Sequence, residues 1–233
     1  MSSSDLADFA PEPITPAGAQ TMIDTVIESA QAIFDRLRDE RAHLDERATT
    51  FADALLRRRD AALERLRGLL PGDLEIDQIR HHGDLHLGQI LIVKDDACII
   101  DFEGEPNRSA SERRRKTPSA RDVAGFIRSL DYAATSALGR IMAAAPDEHV
   151  KVSAAIDRWR LQSTQAFLAG VREATSPARL WPRDEAVAHR LLRFFIAEKA
   201  FYEIGYELAN RPDWVMVPLA GAVHALFDDG GDT

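Results

Sequence analysis

The sequence has only one cysteine, Cys98, among its 233 residues. A single cysteine excludes an intramolecular disulfide framework and a zinc site built from several cysteines. An excess of basic residues is also missing, because the formal net charge is −9. That balance argues against a nucleic-acid-binding protein, which needs positive charge facing the phosphate backbone.

Long apolar runs are missing as well, and none approaches the roughly 18 residues of a membrane span. The first 18 residues lack the basic and apolar regions of a signal peptide. They contain three prolines among small polar residues, which predicts a disordered tail over 1–18. We therefore expect a cytoplasmic protein that binds neither membrane nor nucleic acid.

What the chain does have is helical periodicity and enough apolar residues, 45%, to build a sizeable core. Apolar residues recur at spacings of three and four, which predicts two long helices before residue 75 and no sheet there. Further helices are predicted at 120–144, 147–174, 184–210 and 214–227.

One short segment is different. Two apolar runs, 91–93 and 97–100, are separated by Lys94, Asp95 and Asp96, a pattern typical of a β-hairpin. A polar loop with the basic run 113–116 follows at 107–118. The predicted fold class is mainly α (α+β), with one small β-hairpin between polar motifs.

Two motifs flank this hairpin. HGDLHLGQ begins at His82 and leads into the first strand, and DFEG begins at Asp101 and leaves the second. A hairpin brings its ends together, so Asp84, Gln89 and Asp101 should converge. Phosphoryl transfer needs such a group: an acid for the attacking hydroxyl and oxygen ligands for Mg²⁺ on the nucleotide phosphates. In protein kinases the metal-binding Asn follows the catalytic Asp by five positions, as Gln89 follows Asp84 here.

The neighbouring polar residues allow more than one interpretation. His82 is expected to brace the loop, whereas His86 either faces a substrate or packs. Asp122 is either a helix N-cap or a brace for the catalytic loop, and the brace is favoured. The run 113–116 is either a solvated loop or a phosphate-facing surface.

A polar face is predicted on the helix at 184–210. At about 100° per residue, Lys199, Tyr202 and Tyr206 fall within an arc of about 60°, with Glu203 beside them. Aromatic rings combined with charged groups suit a sugar, which has apolar C–H faces and directional hydroxyls. The alternative is a solvated face with ion pairs four residues apart.

Long blocks of the sequence resemble the C-terminal lobe of bacterial maltokinases, within the aminoglycoside-phosphotransferase-like group of kinase-like enzymes. The resemblance covers most of 76–227. The blocks that carry it are HHGDLHLGQILIV, IDFEGEP, ERRRKTPSARDVAGFIRSLDYAA and AEKAFYEIGYELANRPDW.

The resemblance implies a role for each matching residue. Asp84 matches the catalytic base, Gln89 and Asp101 match the magnesium ligands, and Glu103 is a further candidate near the metal. The implied reaction transfers a phosphoryl group from ATP to maltose and gives maltose 1-phosphate for α-glucan or glycogen synthesis. The expected substrate-binding residues are His86, Lys199, Tyr202, Glu203 and Tyr206.

The chain departs from that family before residue 82. Only helices are predicted there, with no Gly-rich phosphate loop, so the nucleotide lobe is expected to be absent. The predicted organisation is a tail over 1–18 and one lobe over 19–233, with helices over 19–75, the catalytic loop and hairpin over 76–106, and a helical subdomain over 119–228. A separate N-terminal lobe or trehalose synthase is the expected protein partner.

Two other functions compete with a sugar kinase. A lobe without nucleotide-binding machinery could bind sugar, or act as a scaffold, without turnover. The spacing of His82, Asp84 and His86 also mimics the metal site of a hydrolase. A hydrolase, however, explains neither Gln89 nor the DFEG motif.

Overall fold

The computed structural model of the chain describes residues 8–72, 74–104, 109–145, 147, 149–175 and 177–228. Its described part consists mainly of helices, with two small antiparallel sheets. The helices are α1 (Pro16–Glu40), α2 (Glu46–Arg57), α3 (Arg59–Leu69), α4 (Ala110–Arg113), α5 (Ala120–Ala144), α6 (His149–Thr175), α7 (Glu185–Asn210) and α8 (Met216–Phe227). The strands are β1 (Glu12–Pro13), β2 (Asp77–Gln78), β3 (Ile90–Val93) and β4 (Asp96–Ile99).

The prediction of a disordered tail is wrong from Glu12 onward, while residues 1–7 lie outside the described part. Strand β1 pairs with β2, and Ile14 beyond it is buried in the core. Helix α1 begins at Pro16, where Thr15 Oγ1 accepts the backbone N–H of Gly18 at 3.0 Å as an N-cap. Burial of Ile14 and the N-cap at Thr15 stabilise an ordered segment here, although its prolines suggested disorder.

The second of the two predicted N-terminal helices is interrupted at Arg58, which separates α2 from α3. Helix α2 packs on α8, whereas α3 packs on α1 and α7. The bend at Arg58 lets the apolar faces of α2 and α3 pack on different helices. Apolar periodicity alone does not predict this bend. The predicted loop after residue 107 likewise contains a short helix, α4, held by a capping box between Ser109 and Glu112.

Helix α7 is the centre of the fold, with α1, α5 and α8 packed around it. Its apolar side is fully buried and includes Phe194, Phe195, Phe201 and Ile204. The mainly α fold class is therefore confirmed, and α5 coincides with the predicted 120–144. No described helix has a stretch long and apolar enough to cross a bilayer.

The predicted hairpin is present as β3 and β4, with Ile90 opposite Ile99 and Val93 opposite Asp96. Lys94 in the turn has a positive φ of 57°, a conformation that tight hairpin turns require. Both strands project from the helices, and Ile92 is 75% exposed. The two motifs begin and end at the base of this hairpin.

Candidate active site at the base of the hairpin

The loop from His82 to Gln89 folds against the loop that follows β4. Gly83 has φ +87°, and a Cβ built there would lie 3.1 Å from the Cα of Gly104, which itself has φ +78°. These two positions therefore require glycine, because of both conformation and space. The close contact brings the HGD and DFEG motifs side by side.

Helix α5 holds the main chain of the catalytic loop at three places. Asp122 accepts the backbone N–H groups of His82 at 2.6 Å and Gly83 at 2.9 Å. One turn later Gly125 allows the closest approach, since a Cβ there would lie 2.8 Å from the carbonyl oxygen of Leu85. Asp122 thus lies in the position of a brace, the interpretation favoured above, within the first turn of the helix.

The third contact comes from Ser129, which the sequence analysis did not single out. Its Oγ accepts the backbone N–H of Leu87 at 3.0 Å and donates to the carbonyl of Phe126 at 2.6 Å. The spacing of Asp122, Gly125 and Ser129 places all three on one face of α5. The signal in the sequence for this support of the loop was a set of small or acidic residues at helical spacing after the HGD motif.

Replacing Ser129 with alanine should destabilise the chain by about 1 kcal/mol, because the hydrogen bonds of its Oγ with the Leu87 N–H and the Phe126 carbonyl are lost without a change of packing. Urea unfolding followed by tryptophan fluorescence measures this difference. Ser136→Ala, in the same helix, is the matched control and should stay within about 0.5 kcal/mol of the unchanged chain. Equal stability of all three proteins would show that the Leu87 contact contributes nothing.

His82 uses both ring nitrogens inside the protein. It is buried, its Nδ1 accepts the backbone N–H of Asp84 at 3.3 Å, and its Nε2 therefore donates to the carbonyl of Ile100 at 2.8 Å. No nitrogen remains for a metal, and the described residues contain no group of three His, Cys, Asp or Glu side chains placed to hold one. This geometry disfavours the hydrolase that the His-x-Asp-x-His spacing suggested.

The Asp84 carboxylate lies between two basic side chains. Lys199 Nζ is 3.3 Å from Oδ1, and His86 Nε2 is 3.9 Å from Oδ2. The carboxylate is about one quarter exposed, and it lines a cleft between the loop, α5 and α7. The other side chains of this cleft are Leu85, Arg121, Asp122, Glu198, Lys199 and Tyr202. As it stands, this cleft has a volume of about 10 Å³, which is room for about one water molecule.

Gln89 and Asp101 come together at the base of the hairpin. Gln89 Nε2 donates to Asp101 Oδ2 at 2.9 Å, and Asp101 reaches this position through a backbone φ of +64°. This bond uses neither Gln89 Oε1 nor Asp101 Oδ1, the other two polar atoms of the pair. Two such oxygens fit Mg²⁺, which takes few protein ligands and completes its shell with phosphates and water.

Glu103 occupies a different environment from these two. Its side chain is exposed, and its backbone carbonyl accepts from Arg113 Nη1 at 3.1 Å. Among the described contacts of the basic run 113–116, this one from Arg113 reaches the DFEG loop. Lys116 instead pairs with Glu12. The structure brings Glu103 beside the loop, but it does not bring its carboxylate into the Gln89–Asp101 pair.

The polar face of α7 divides into two parts. Lys199 lies 4.8 Å from the Tyr202 ring centroid, and both line the cleft at Asp84. Tyr206 is 40% exposed further along the helix, with Arg211 over its ring. Lys199 and Tyr202 thus lie at the cleft, and Tyr206 follows beyond it along the same face of α7.

Glu203 does not belong to that surface, and its predicted contact with substrate stays a prediction. It is only 9% exposed, and its Oε2 accepts from Nε and Nη2 of Arg128 at 2.9 and 2.8 Å. Burial raises the pKa of Glu203, whereas the charges of Arg128 and Lys199 act in the opposite direction. Periodicity placed Glu203 beside the polar face, but α5 covers it.

Comparison with known proteins adds relatives whose function is known. The sequence is 33% identical over 192 residues to a glucosamine kinase of Mycolicibacterium smegmatis, a match that covers 79% of this chain and 43% of the relative. It is 33% identical over 138 residues to a glucosamine kinase of Streptacidiphilus jiangxiensis, covering 59% of this chain and 29% of the relative. No protein-family model matches the sequence.

Solved structures share the fold. A glucosamine kinase in complex with glucosamine, ADP and inorganic phosphate superposes with a TM-score of 0.71 at 24% identity, covering 93% of this chain and 47% of that one. A second crystal form of a glucosamine kinase gives a TM-score of 0.70. The chain thus spans less than half the length of the relatives it matches. The likeness to the solved structures shows that this chain shares part of their fold.

Proposed function

We propose that this chain is the acceptor-binding and catalytic lobe of an ATP-dependent sugar kinase. The observation that carries the proposal is the position of Asp84, in a cleft beside Lys199, with the Gln89–Asp101 pair at the neighbouring loop. Relatives that phosphorylate a sugar support the same class of reaction.

In this proposal Asp84 orients the attacking sugar hydroxyl and accepts its proton. Its Oδ2 is free of a close hydrogen bond from His86, at 3.9 Å, and can take a hydroxyl proton directly. Lys199, which contacts Oδ1, pairs with the Asp84 carboxylate and can donate to a second sugar hydroxyl. Tyr202 offers a ring to the apolar face of the sugar.

Gln89 and Asp101 would hold Mg²⁺, which when bound neutralises charge on the nucleotide phosphates. The brace from α5 keeps the main chain of the loop that carries Asp84 and Gln89 in place. Glu103 stays a candidate for an indirect role at the same metal.

We further propose which sugar accepts the phosphoryl group. The sequence blocks that resemble maltokinases favour maltose, phosphorylated at its anomeric hydroxyl for α-glucan or glycogen synthesis. The helix face from Lys199 to Tyr206 supports the same acceptor, because it extends well past Asp84. At about 1.5 Å per residue these two positions are about 10 Å apart along α7, longer than one sugar ring. Glucosamine, the substrate named for the relatives, is the competing acceptor. A separate nucleotide lobe or trehalose synthase stays a prediction.

The experiment compares maltose, glucosamine and glucose as acceptors for the full chain with ATP and Mg²⁺. Phosphorus NMR detects the sugar phosphate, and saturation-transfer NMR detects sugar binding independently of turnover. We expect formation of a sugar phosphate, with maltose preferred. Binding without turnover would favour the non-catalytic sugar-binding lobe, and a folded chain that binds none of the three sugars would contradict the proposal.

A further inference from the structure

At the C-terminal end of α7, an arginine lies beside two aromatic rings. The Arg211 guanidinium is 5.6 Å from the ring centroid of Tyr206 and 5.9 Å from that of Trp214. A short 3₁₀-helix, Pro212–Trp214, follows Arg211, and the Trp214 N–H donates to the Arg211 carbonyl at 2.9 Å. The Arg211 side chain is 52% exposed and Tyr206 is 40% exposed. We call Tyr206, Arg211 and Trp214 the arginine–aromatic surface.

The Arg211 guanidinium is held in one orientation from the side of the core. Buried Glu207 accepts from Arg211 Nε at 2.9 Å and from Nη2 at 2.7 Å. The Tyr132 hydroxyl of α5 donates to the same carboxylate at 3.0 Å, and the Tyr132 ring stacks on Trp214 with centroids 6.1 Å apart. A planar group fixed by two parallel hydrogen bonds is already ordered, so it loses little conformational freedom when a ligand binds.

Arg211 has hydrogen-bonding capacity beyond this pair. A guanidinium has five N–H donors, and the bonds to Glu207 come only from Nε and Nη2. Among the contacts of the described residues, Nη1 has no hydrogen-bond partner. Its donors are therefore available to a ligand that lies against the exposed ring of Tyr206.

The charges around this surface favour a neutral ligand over an anion. Glu207 balances the charge of Arg211, exposed Asp213 follows two positions later, and the whole chain has a net charge of −9. An anion site needs a local excess of positive charge. Directional N–H donors beside an aromatic ring instead suit a sugar, which has hydroxyls and apolar C–H faces.

The surface lies on the same helix as the reaction centre but further along it. Tyr206 follows Lys199 by two helical turns, about 10 Å along the axis and on the same face. Lys199 contacts Asp84 at 3.3 Å, whereas Arg211 lies over the Tyr206 ring. One hexose is shorter than this span, so only an acceptor with a further ring occupies both places.

We propose that the arginine–aromatic surface binds the outer ring of an acceptor that has two or more hexose units. Arg211 is then a specificity-determining residue, because it adds affinity for such an acceptor and none for a single hexose at Asp84. The proposal rests on the function proposed above, which places the reacting ring at Asp84.

The first test locates the outer ring by NMR of the tryptophan indole N–H groups in the full chain. The chain has only three tryptophans, Trp159, Trp181 and Trp214, and Trp214→Phe assigns the signal of interest. Maltose and glucose are titrated separately. We expect maltose to shift the Trp214 signal and to leave that of Trp159 in α6 unchanged, whereas glucose should shift neither.

The second test measures the ratio of maltose affinity to glucose affinity in two variants. Arg211→Lys keeps a positive charge for Glu207 but loses the planar set of donors. Tyr206→Ala removes the exposed ring and leaves the Arg211–Glu207 pair in place. Each should lower the ratio about 10-fold, as expected for the loss of contacts made only with the outer ring.

The matched control is Arg172→Gln. The Arg172 side chain is 53% exposed and also pairs with a carboxylate, Glu185 at 3.2 Å, but it lies on α6. Its affinity ratio should equal that of the unchanged chain. Backbone amide spectra report whether each variant is folded, and Tyr206→Ala keeps the test decisive if Arg211→Lys does not fold.

Several outcomes would overturn the outer-ring site. These are a Trp214 signal that saturating maltose leaves in place, an equal shift with glucose, and an unchanged affinity ratio in either folded variant. Equal affinity for maltose and glucose would remove this site and leave the sugar-kinase function standing. A folded chain that binds neither sugar would remove both.

Discussion

Asp84→Asn is expected to lower phosphoryl transfer on the order of 10²-fold or more, while the affinity for the acceptor sugar changes little. Asparagine has the size of aspartate but cannot accept the hydroxyl proton. The surrounding main chain, held by α5, stays in place because Asp122 and Ser129 do not depend on this side chain. Initial rates at varied sugar concentration separate kcat from KM.

A matched control is Asp95→Asn in the exposed turn of the hairpin, which removes the same charge far from the cleft. It should retain the full rate. Full turnover in Asp84→Asn would exclude this residue as the base, whereas an equal loss in Asp95→Asn would point to overall charge rather than to the cleft.

Arg128→Met alone should destabilise the chain by about 3–5 kcal/mol, because it leaves the Glu203 carboxylate buried without its cation. A domain of this kind has about 5–15 kcal/mol of stability in total, so the variant retains only part of it. Adding Glu203→Met should restore most of the loss, since no buried charge then remains unpaired. Urea unfolding of the unchanged chain, the single variant and the double variant measures both effects.

The loss in Arg128→Met should also depend on pH. Without Arg128, the pKa of Glu203 rises further above its ordinary value, so the folded state binds a proton that the unfolded state releases. Stability is then fully present below the ordinary glutamate value and decreases as pH rises, by up to about 1.4 kcal/mol per pH unit. The deficit should therefore be smaller near about pH 5 than near about pH 8. An equal deficit at both would show that lost packing, not charge, is responsible.

Local patterns predicted the elements of the fold well. Apolar spacing and proline punctuation placed α5, α6, α7 and α8 within a few residues of their observed bounds. The two runs on either side of Lys94 gave the hairpin. Both results come from periodicity within one element, which depends little on the rest of the chain.

Such patterns do not predict how the elements pack against one another. A helical wheel gives the angle between Glu203 and Lys199, but it does not say that α5 brings Arg128 against one of them and leaves the other in a cleft. The same limit applies to Ser129, whose only signal was its spacing from Asp122. For Gln89 and Asp101, by contrast, the hairpin connects the motifs directly, so their proximity followed from the sequence.

The brace from α5 acts only on backbone atoms of the catalytic loop: two N–H groups for Asp122, a carbonyl for Gly125 and one N–H for Ser129. Side chains at other positions within the loop, such as that of Leu85, take no part in it. These positions can therefore vary during evolution without rebuilding the support of Asp84. A fold of this design can change its acceptor by substitutions around the cleft while the reacting carboxylate stays where it is.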